Sequence, residues 1–194
     1  MNDTIKYYNQ HASEYYKSTV DVDFNQLRRR FVSLLPEGAR IIDIGCGSGR
    51  DVKAFCGMGY QAIGLDASEE LADEARKNLG VEVIVDDMTT WKAKEPFDGI
   101  WCCASLLHLH EEEANAFFQN LQHNLKPDGL LFLSVKEGIK TGYDEKGRYM
   151  RNYTEQELKS KLEAFGLEII EVDTSEDGLG RTGFRWLNVF CRLK

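Results

Sequence analysis

The feature that most constrains the fold is the segment 40–51, where an apolar, β-branched run leads directly into three glycines separated by single residues. This pattern predicts a strand over 40–45, a tight turn, and a helix that begins near Asp51. Open α/β sheets form their ligand crevices where such strands end, and glycine lets a ligand contact bare backbone. The segment therefore indicates a small-molecule site at the first strand–helix corner.

The rest of the chain alternates between apolar strand patterns and amphipathic helix patterns. Helices are predicted over 51–56, 68–79 and 111–124, and further strands over 61–66, 81–85, 97–103 and 129–135. The last two strands, 167–172 and 186–192, are joined by a link too short for a helical crossover, so we expect them to be antiparallel. The prediction is an α/β fold with a doubly wound, mostly parallel, Rossmann-like seven-stranded sheet, an antiparallel C-terminal strand and N-terminal helices.

We expect residues 1–194 to form a single domain. Helical patterns over 4–17, which holds four tyrosines, and over 24–35 predict an N-terminal helical lid at 1–36. The polar stretch 137–153 is a candidate substrate loop. The sequence Lys-Pro-Asp-Gly at 126–129 predicts a turn, and Thr154 with Glu157 predicts a capped helix that ends near Gly166.

Charge and composition limit the kinds of binding partner that the sequence predicts. A net charge of −8 argues against a large nucleic-acid footprint, which needs a basic surface. The arginines at 28–30 could form a local basic patch, but they lie on an amphipathic helix and are expected on its solvated face. No apolar stretch has membrane-spanning length, and the N-terminus lacks the apolar core of a signal peptide, so we expect no membrane partner and a cytoplasmic protein. The five cysteines show no metal-binding spacing, which predicts reduced thiols and no metal site. The oligomeric state stays open.

The glycine spacing and two acids bear on the ligand. The dinucleotide fingerprint needs a third glycine where Arg50 stands, which disfavours a pyrophosphate ligand. Asp66 ends the second predicted strand, where a carboxylate accepts hydrogen bonds from ribose hydroxyls. Asp87 ends the third, where it is placed to accept from the amine of an adenine. An adenosyl compound is therefore favoured, although an acid at Asp66 fits a dinucleotide as well.

Five segments in order, DIGCGSGRD, GLDAS, DDM, FDGIWCCASLLHL and LKPDGLLFLS, resemble the motifs of class I S-adenosylmethionine-dependent methyltransferases. The resemblance covers about residues 40–135 and is greatest to small-molecule enzymes of the type 11 and type 25 domains. In its brevity the chain also resembles the tellurite-resistance methyltransferases. The resemblance implies S-adenosylmethionine as the cofactor and a small molecule as the methyl acceptor.

The resemblance also implies which residues contact the cofactor. Around its methionine part they are Asp43, Gly45, Cys46, Gly47, Gly49 and the backbone of Cys103. Around its adenosine part they are Asp66, Ala67, Asp87 and Met88, with Asp86 replacing Asp87 if the register slips by one residue.

Side chains outside these motifs are candidates for closing the site and for proton transfer. His108 is the candidate catalytic base, because an unperturbed histidine titrates near neutrality; the alternative is a structural histidine that faces a carbonyl group or solvent. From the N-terminal tyrosines we expect Tyr8, with Tyr15 or more particularly Tyr16, to cover the cofactor; the alternative is packing of an amphipathic helix.

The predicted reaction is direct in-line displacement of the methyl group by an oxygen, nitrogen or sulfur atom of a small molecule. The Asn/Asp-Pro-Pro-aromatic run of nucleic-acid amine methylases is replaced here by Cys103 and the three residues that follow it. The loop after the fifth predicted strand and the loop before the last predicted strand carry candidates for a cationic wall against an anionic acceptor, which are Arg148, Arg151, Tyr153, Arg181 and Arg185. For these residues the alternative is that they are solvated loop charges. The alternatives are an NAD(P)-dependent oxidoreductase on a related sheet and a non-catalytic cofactor-binding protein.

Overall fold

The computed structural model describes residues 3–194. Its strands are Arg40–Ile44 (β1), Gln61–Asp66 (β2), Val83–Val85 (β3), Phe97–Cys103 (β4), Leu125–Lys136 (β5), Thr141–Tyr143 (β6), Tyr149–Arg151 (β7), Leu167–Glu176 (β8) and Arg185–Leu193 (β9). Its helices are Asp3–Gln10 (α1), Ala12–Thr19 (α2), Asn25–Val32 (α3), Arg50–Gly57 (α4), Glu69–Leu79 (α5), Glu111–Asn124 (α6) and Glu155–Ala164 (α7), with a 3₁₀ turn at Leu106–His108.

Seven strands form one sheet in the order β3-β2-β1-β4-β5-β9-β8. The pairs among β1 to β5 are parallel, and β9 is antiparallel to both of its neighbours. The predicted doubly wound, mostly parallel sheet with an antiparallel C-terminal strand is therefore confirmed. The strand order reverses between β1 and β4, and at such a point the loops that follow two adjacent strands diverge and leave a crevice.

Both faces of the sheet are covered, which explains why its central strands are almost continuously apolar. On one face Phe31 and Phe55 pack on the ring of Trp101. On the other face Phe117 and Phe118 of α6 belong to the larger apolar cluster. Within residues 3–194 no helix has the length and apolar character needed to cross a bilayer.

The N-terminal helices differ from the prediction. The expected helix over 4–17 is broken at His11, whose backbone leaves the helical region at φ −119° and ψ 20°, so α1 and α2 are separate. Stacking of the His11 ring on Tyr7, at 4.2 Å between ring centroids, accompanies the break. The second expected helix, 24–35, ends at Val32.

The segment 126–129 does not form an isolated turn but lies inside β5. The pairing with β4 steps from Phe97 and Leu125 to Gly99 and Leu130, so the extra residues of β5 bulge out of the ladder. Asp128 has a positive φ of 60° there, and Pro127 has no N–H to give to a ladder. A turn-forming sequence is therefore accommodated as an irregularity within a longer strand.

The expected loop over 137–153 contains a small hairpin of β6 and β7. The carboxylate of Asp144 accepts hydrogen bonds from the backbone N–H groups of Lys146 and Arg148, and Gly147 takes a positive φ of 75°. The hairpin rests on α1, because the Tyr149 backbone N–H donates to Thr4 Oγ1 at 3.0 Å. The turn sequence at 144–147 is therefore a structured hairpin tip.

Candidate functional site

The turn after β1 leads into the crevice and is shaped by three glycines with positive φ, Gly45, Gly47 and Gly49. A Cβ at Gly45 would lie 2.3 Å from Ser105 Cβ, so the turn can approach the loop after β4 only without a side chain. Ser105 Oγ also donates to the carbonyl oxygen of Ile44 at 2.7 Å. The loops that follow β1 and β4 are thereby held in direct contact.

Gly49 has a different role from the first two glycines. It is the N-cap residue of α4, and a Cβ there would lie 2.8 Å from Ala75 Cβ in α5. It shapes the turn by close helix packing and does not line either cavity described below. Gly45 and Gly47 do line them.

Asp66, at the end of β2, holds the glycine turn from the side. Its Oδ2 accepts from the Gly47 backbone N–H at 2.8 Å, and its Oδ1 accepts from the Ser68 N–H at 2.9 Å. Burial raises the pKa of Asp66, and these backbone hydrogen bonds oppose the rise. The carboxylate still has lone pairs to offer to a ligand hydroxyl, since each oxygen can accept more than one hydrogen bond.

Asp87 lies beyond the end of β3, on the opposite side of the same opening. Its Oδ1 accepts from both the backbone N–H and the hydroxyl of Thr89, at 2.8 and 2.7 Å. Within the part of the chain that is described, Oδ2 of Asp87 accepts no hydrogen bond. One carboxylate oxygen is therefore fixed in position and the other is available.

These residues surround a cavity of about 390 Å³, the acid-lined cavity, within the size range of small-molecule sites. Helix α1 covers it with Thr4, Ile5 and Tyr8. The predicted cofactor contacts that line it are Tyr8, Gly45, Gly47, Asp66, Ala67, Asp87, Met88 and Cys103.

A second cavity of about 130 Å³, the arginine-lined cavity, adjoins the first and shares Tyr8, Tyr15, Cys103 and His108 with it. Asp43 and Cys46, the other predicted contacts of a methionine part, line this second cavity. Its remaining wall includes Phe24, Arg50, Lys136, Arg148, Arg181 and Trp186.

Two buried acids that line the arginine-lined cavity have pKa values shifted in opposite directions. Asp51 accepts from Arg28 at 2.5 Å, from Arg50 at 2.8 Å and from Trp101 Nε1 at 3.2 Å. Burial alone would raise the pKa of Asp51, but the two arginines outweigh it and lower the pKa. For Asp43, burial and the charge of Asp51 raise the pKa well above its usual value.

Asp43 is a buried carboxylate with open acceptor positions. Only 2% of its surface is exposed, and its carboxylate oxygens accept no hydrogen bond from residues 3–194. Buried polar groups in native proteins nearly always have a partner. A carboxylate on a cavity wall without one is suited to a cationic, hydrogen-bonding ligand group.

His108 is joined to Tyr8 at the boundary between the two cavities. Its Nδ1 lies 2.8 Å from the carbonyl oxygen of Tyr149, which can only accept, so Nδ1 carries the proton. Nε2 then accepts from the Tyr8 hydroxyl at 2.9 Å, and Arg148 Nη1 donates to the same hydroxyl oxygen at 3.1 Å. Burial lowers the pKa of His108 to about 4, so this histidine is neutral at pH 7.

Some expected site residues lie elsewhere. Tyr16 lines neither cavity, whereas Tyr15 lines both, because Tyr15 is the residue of α2 that faces Gly47. Of the candidate cationic wall, Arg148 and Arg181 line the arginine-lined cavity. Arg151 pairs instead with Glu111 and Glu157, Arg185 pairs with Glu137, and Tyr153 is fully buried.

Asp51 and Arg28 contribute to the site although neither was predicted to do so. Arg28, expected on a solvated helix face, is only 5% exposed and pairs with Asp51. The signal for Asp51 is its place beside Val52 and Phe55 on the buried face of α4, where an acid needs a cationic partner. The five cysteines are free thiols. Among residues 3–194 no three His, Cys, Asp or Glu side chains are grouped so as to hold a metal ion.

Comparison with known proteins gives one domain match in the chain. Residues 41–129, from β1 to the bulge in β5, match a family model described as a methyltransferase domain. A similar protein is a ubiquinone biosynthesis O-methyltransferase of Xanthomonas axonopodis pv. citri, 34% identical over 121 residues. The match covers 57% of this chain and 49% of that protein, so the chain spans about half the length of the curated relatives it matches.

Solved structures share the fold across nearly the whole chain. A Burkholderia thailandensis 1,6-didemethyltoxoflavin-N1-methyltransferase, solved with its acceptor and S-adenosylhomocysteine, is 20% identical, with a TM-score of 0.81 over 99% of this chain and 88% of that one. A TehB-like S-adenosylmethionine-dependent methyltransferase of Corynebacterium glutamicum is 20% identical, with a TM-score of 0.73 over 96% of this chain and 98% of that one. At this identity these matches establish the fold.

Proposed function

We propose that this chain, whose residues 41–129 belong to the class I S-adenosylmethionine-dependent methyltransferase family, transfers a methyl group from S-adenosylmethionine to a small-molecule acceptor. The family match confirms the resemblance that the five ordered motifs indicated. The observation that carries the proposal is the acid-lined cavity, where the bare backbone of Gly45 and Gly47 and two carboxylates with spare acceptor positions line one space at the ends of two neighbouring strands. This arrangement suits an adenosyl compound that has no pyrophosphate.

The residues present fit the parts of S-adenosylmethionine. The unpartnered, buried carboxylate of Asp43 would bind its ammonium group. Asp66 would accept from the ribose hydroxyls, and Oδ2 of Asp87 would accept from the adenine amine. Met88 and Ala67 supply apolar surface for the adenine ring. Solved proteins of this fold hold S-adenosylhomocysteine, the compound that remains after methyl transfer.

Bound S-adenosylmethionine supplies a methyl group on a cationic sulfonium, so the leaving group needs no proton. The work left to this chain is to hold the acceptor in line and to exclude water. Tyr8, Tyr15 and Cys103 line both cavities, so the acceptor would enter from the arginine-lined cavity and meet the methyl group at this boundary. Helix α1 and the β6–β7 hairpin would form the cover that keeps the boundary dry.

We assign His108 to holding Tyr8 in place. A histidine with a pKa of about 4 is a weak base, but as a neutral ring it is a good acceptor for the Tyr8 hydroxyl. Arg148 fixes the same hydroxyl from the other side. His108 could remove a proton from the acceptor only if the Tyr8 hydroxyl first left Nε2. The catalytic-base role and the positioning role therefore predict different effects of removing the Tyr8 hydroxyl on the rate of methyl transfer.

The alternative functions make different demands. An NAD(P)-dependent oxidoreductase needs room for a pyrophosphate at the glycine turn, where the Arg50 side chain instead donates to Asp51 and to the carbonyl oxygen of Thr19. Neither the family model nor the relatives named above favours that alternative. A non-catalytic protein would bind the cofactor without turning over any acceptor.

Calorimetric titration with S-adenosylhomocysteine and, separately, with NAD⁺ tests the proposal. We expect the first to bind and the second not to. Asp87→Asn should weaken S-adenosylhomocysteine binding by about tenfold, because a charge-assisted hydrogen bond of ~1.5 kcal/mol is weakened. Asp73→Asn, at an exposed acid of α5, is the matched control and should have no effect. Stronger binding of NAD⁺, or no binding of the adenosyl compound, would overturn the proposal.

A further inference from the structure

We propose that the methyl acceptor carries an anionic oxygen group, a carboxylate or a phosphate, and that Lys136 binds this group in the arginine-lined cavity. This inference rests on the proposed function, since it names the acceptor class for the same site. It concerns one wall of the cavity, away from the glycine turn.

Lys136 is the last residue of β5 and lies on the sheet surface that forms this wall. It stands opposite Trp186 of β9, which in turn stands opposite Ser175 of β8, and all three line the cavity. The Lys136 ammonium lies 4.4 Å from the ring centroid of Phe184 and 6.0 Å from that of Trp186. The charge therefore lies beside two aromatic rings at the C-terminal end of β5.

In the described part of the chain the neighbouring cations have carboxylate partners and Lys136 has none. Arg148 pairs with Asp144 at 2.7 Å, and Arg181 pairs with Asp177 at 2.6 Å. No carboxylate in the described chain lies within ion-pair distance of Lys136, and no oxygen of residues 3–194 accepts a hydrogen bond from it. A half-buried ammonium thus has three donors that the folded chain does not use.

The local electrostatics favour an anion at this position. Burial lowers the pKa of Lys136, and the charges of Arg181 and Arg148 lower it further, while Asp177 and Asp144 act in the opposite direction. A bound carboxylate or phosphate would offset the burial and the repulsion and form charge-assisted hydrogen bonds.

The size and surface of the cavity limit the acceptor. Its volume of about 130 Å³ includes the space beside Asp43 that is assigned to the ammonium group of the cofactor, and cavities of ~150 Å³ hold a single benzene ring, so the acceptor group is at most of that size. Phe24, Leu107 and Trp186 offer apolar surface between the glycine turn and Lys136. A ring or short chain with one anionic end is the acceptor shape that fits.

Benzoate and benzamide test the inference, because the two probes share a shape and differ in charge. Each is titrated by NMR into the protein alone and into the protein saturated with S-adenosylhomocysteine. We expect benzoate to bind the wild-type protein at least tenfold more tightly than benzamide. Lys136→Met and Lys136→Gln should both remove this preference and leave the affinity for S-adenosylhomocysteine unchanged. Lys140→Met, at an exposed lysine four residues away, is the control and should keep the preference.

Equal affinities of the two probes for the wild-type protein would overturn the inference. So would a benzoate preference that persists in both Lys136 variants, which would assign anion binding to the arginines. Circular dichroism shows whether each variant is folded. Two Lys136 variants of different polarity are used so that the test can still be read if one of them does not fold. Failure of S-adenosylhomocysteine to bind would count against the proposed function alone, since the probes are also compared without it.

Discussion

Replacing Asp51 by asparagine should destabilise the fold strongly. The carboxylate holds Arg28 and Arg50 and accepts from Trp101, and the Arg28 residue is only 5% exposed. Removing one partner of a buried ion pair leaves a buried charge and lowers the free energy of unfolding by ~3–5 kcal/mol. With a urea dependence of ~2–3 kcal/mol/M for a chain of this length, the unfolding midpoint should fall by ~1–2.5 M.

Asp43→Asn is the matched control, because it makes the same chemical change at a buried acid whose pKa is shifted the other way. Burial and the charge of Asp51 disfavour ionised Asp43, so the neutral amide should leave the free energy of unfolding at pH 7 unchanged or raise it. The signs follow from linkage. The stabilisation from Asp51 is present above its unfolded pKa of 3.8 and is lost as pH falls, whereas that from protonated Asp43 is lost as pH rises.

Urea unfolding without cofactor, followed by the fluorescence of buried Trp101 and by circular dichroism, measures both effects. The double variant should not equal the sum of the single ones, since the charge of Asp51 is one cause of the Asp43 shift. The reasoning is refuted if Asp51→Asn lowers the midpoint no more than Asp43→Asn does. Such a result would mean that the two arginines relax into water at little cost.

Three further perturbations test other parts of the site. Gly45→Ala places a Cβ 2.3 Å from Ser105 Cβ at a φ of 73°, so we expect it to lower the unfolding free energy by ~1–3 kcal/mol and to weaken S-adenosylhomocysteine binding in calorimetry; unchanged affinity would contradict the close approach. Tyr8→Phe removes the hydroxyl that donates to His108, so we expect a lower rate of methyl transfer with little change in cofactor affinity. A rate of methyl transfer equal to that of the wild-type protein would contradict the positioning role of His108. The pKa of His108 falls from 6.5 to about 4 on folding, so stability should decline as pH drops from 6.5 towards 4, and less so in His108→Gln; equal acid sensitivity would refute the shift.

Much of the fold was predictable because it depends on local pattern. The strands at 61–66 and 97–103 and the helix at 111–124 have the predicted bounds, since their apolar periodicity and flanking residues are local properties. The break at His11 and the bulge at Asp128 were missed. At the bulge, pairing with β4 overrides a local turn preference. The break at His11 and the hairpin tip at 144–147 instead depend on local side-chain contacts that apolar periodicity does not report.

The candidate site also has some features that the sequence predicts and others that it does not. Glycines and acids at strand ends could be placed from the sequence, because parallel strands bring their carboxyl ends to one edge of the sheet. The contact of Tyr8 with His108 joins residues 100 positions apart, and Arg28 reaches Asp51 across 23 positions. Neither separation leaves a periodic signal in the chain.

The sequence by itself thus determined the sheet, the glycine turn and the order of the acids around it, because backbone freedom and hydrophobic period act between near neighbours. Only the tertiary structure decided that Tyr15 rather than Tyr16 faces the turn and that Asp43 and Asp51 differ in charge preference. It also decided that Lys136 has no carboxylate partner among residues 3–194. The physical reason is that burial, ion pairing and pKa depend on which distant groups meet in a low-dielectric interior.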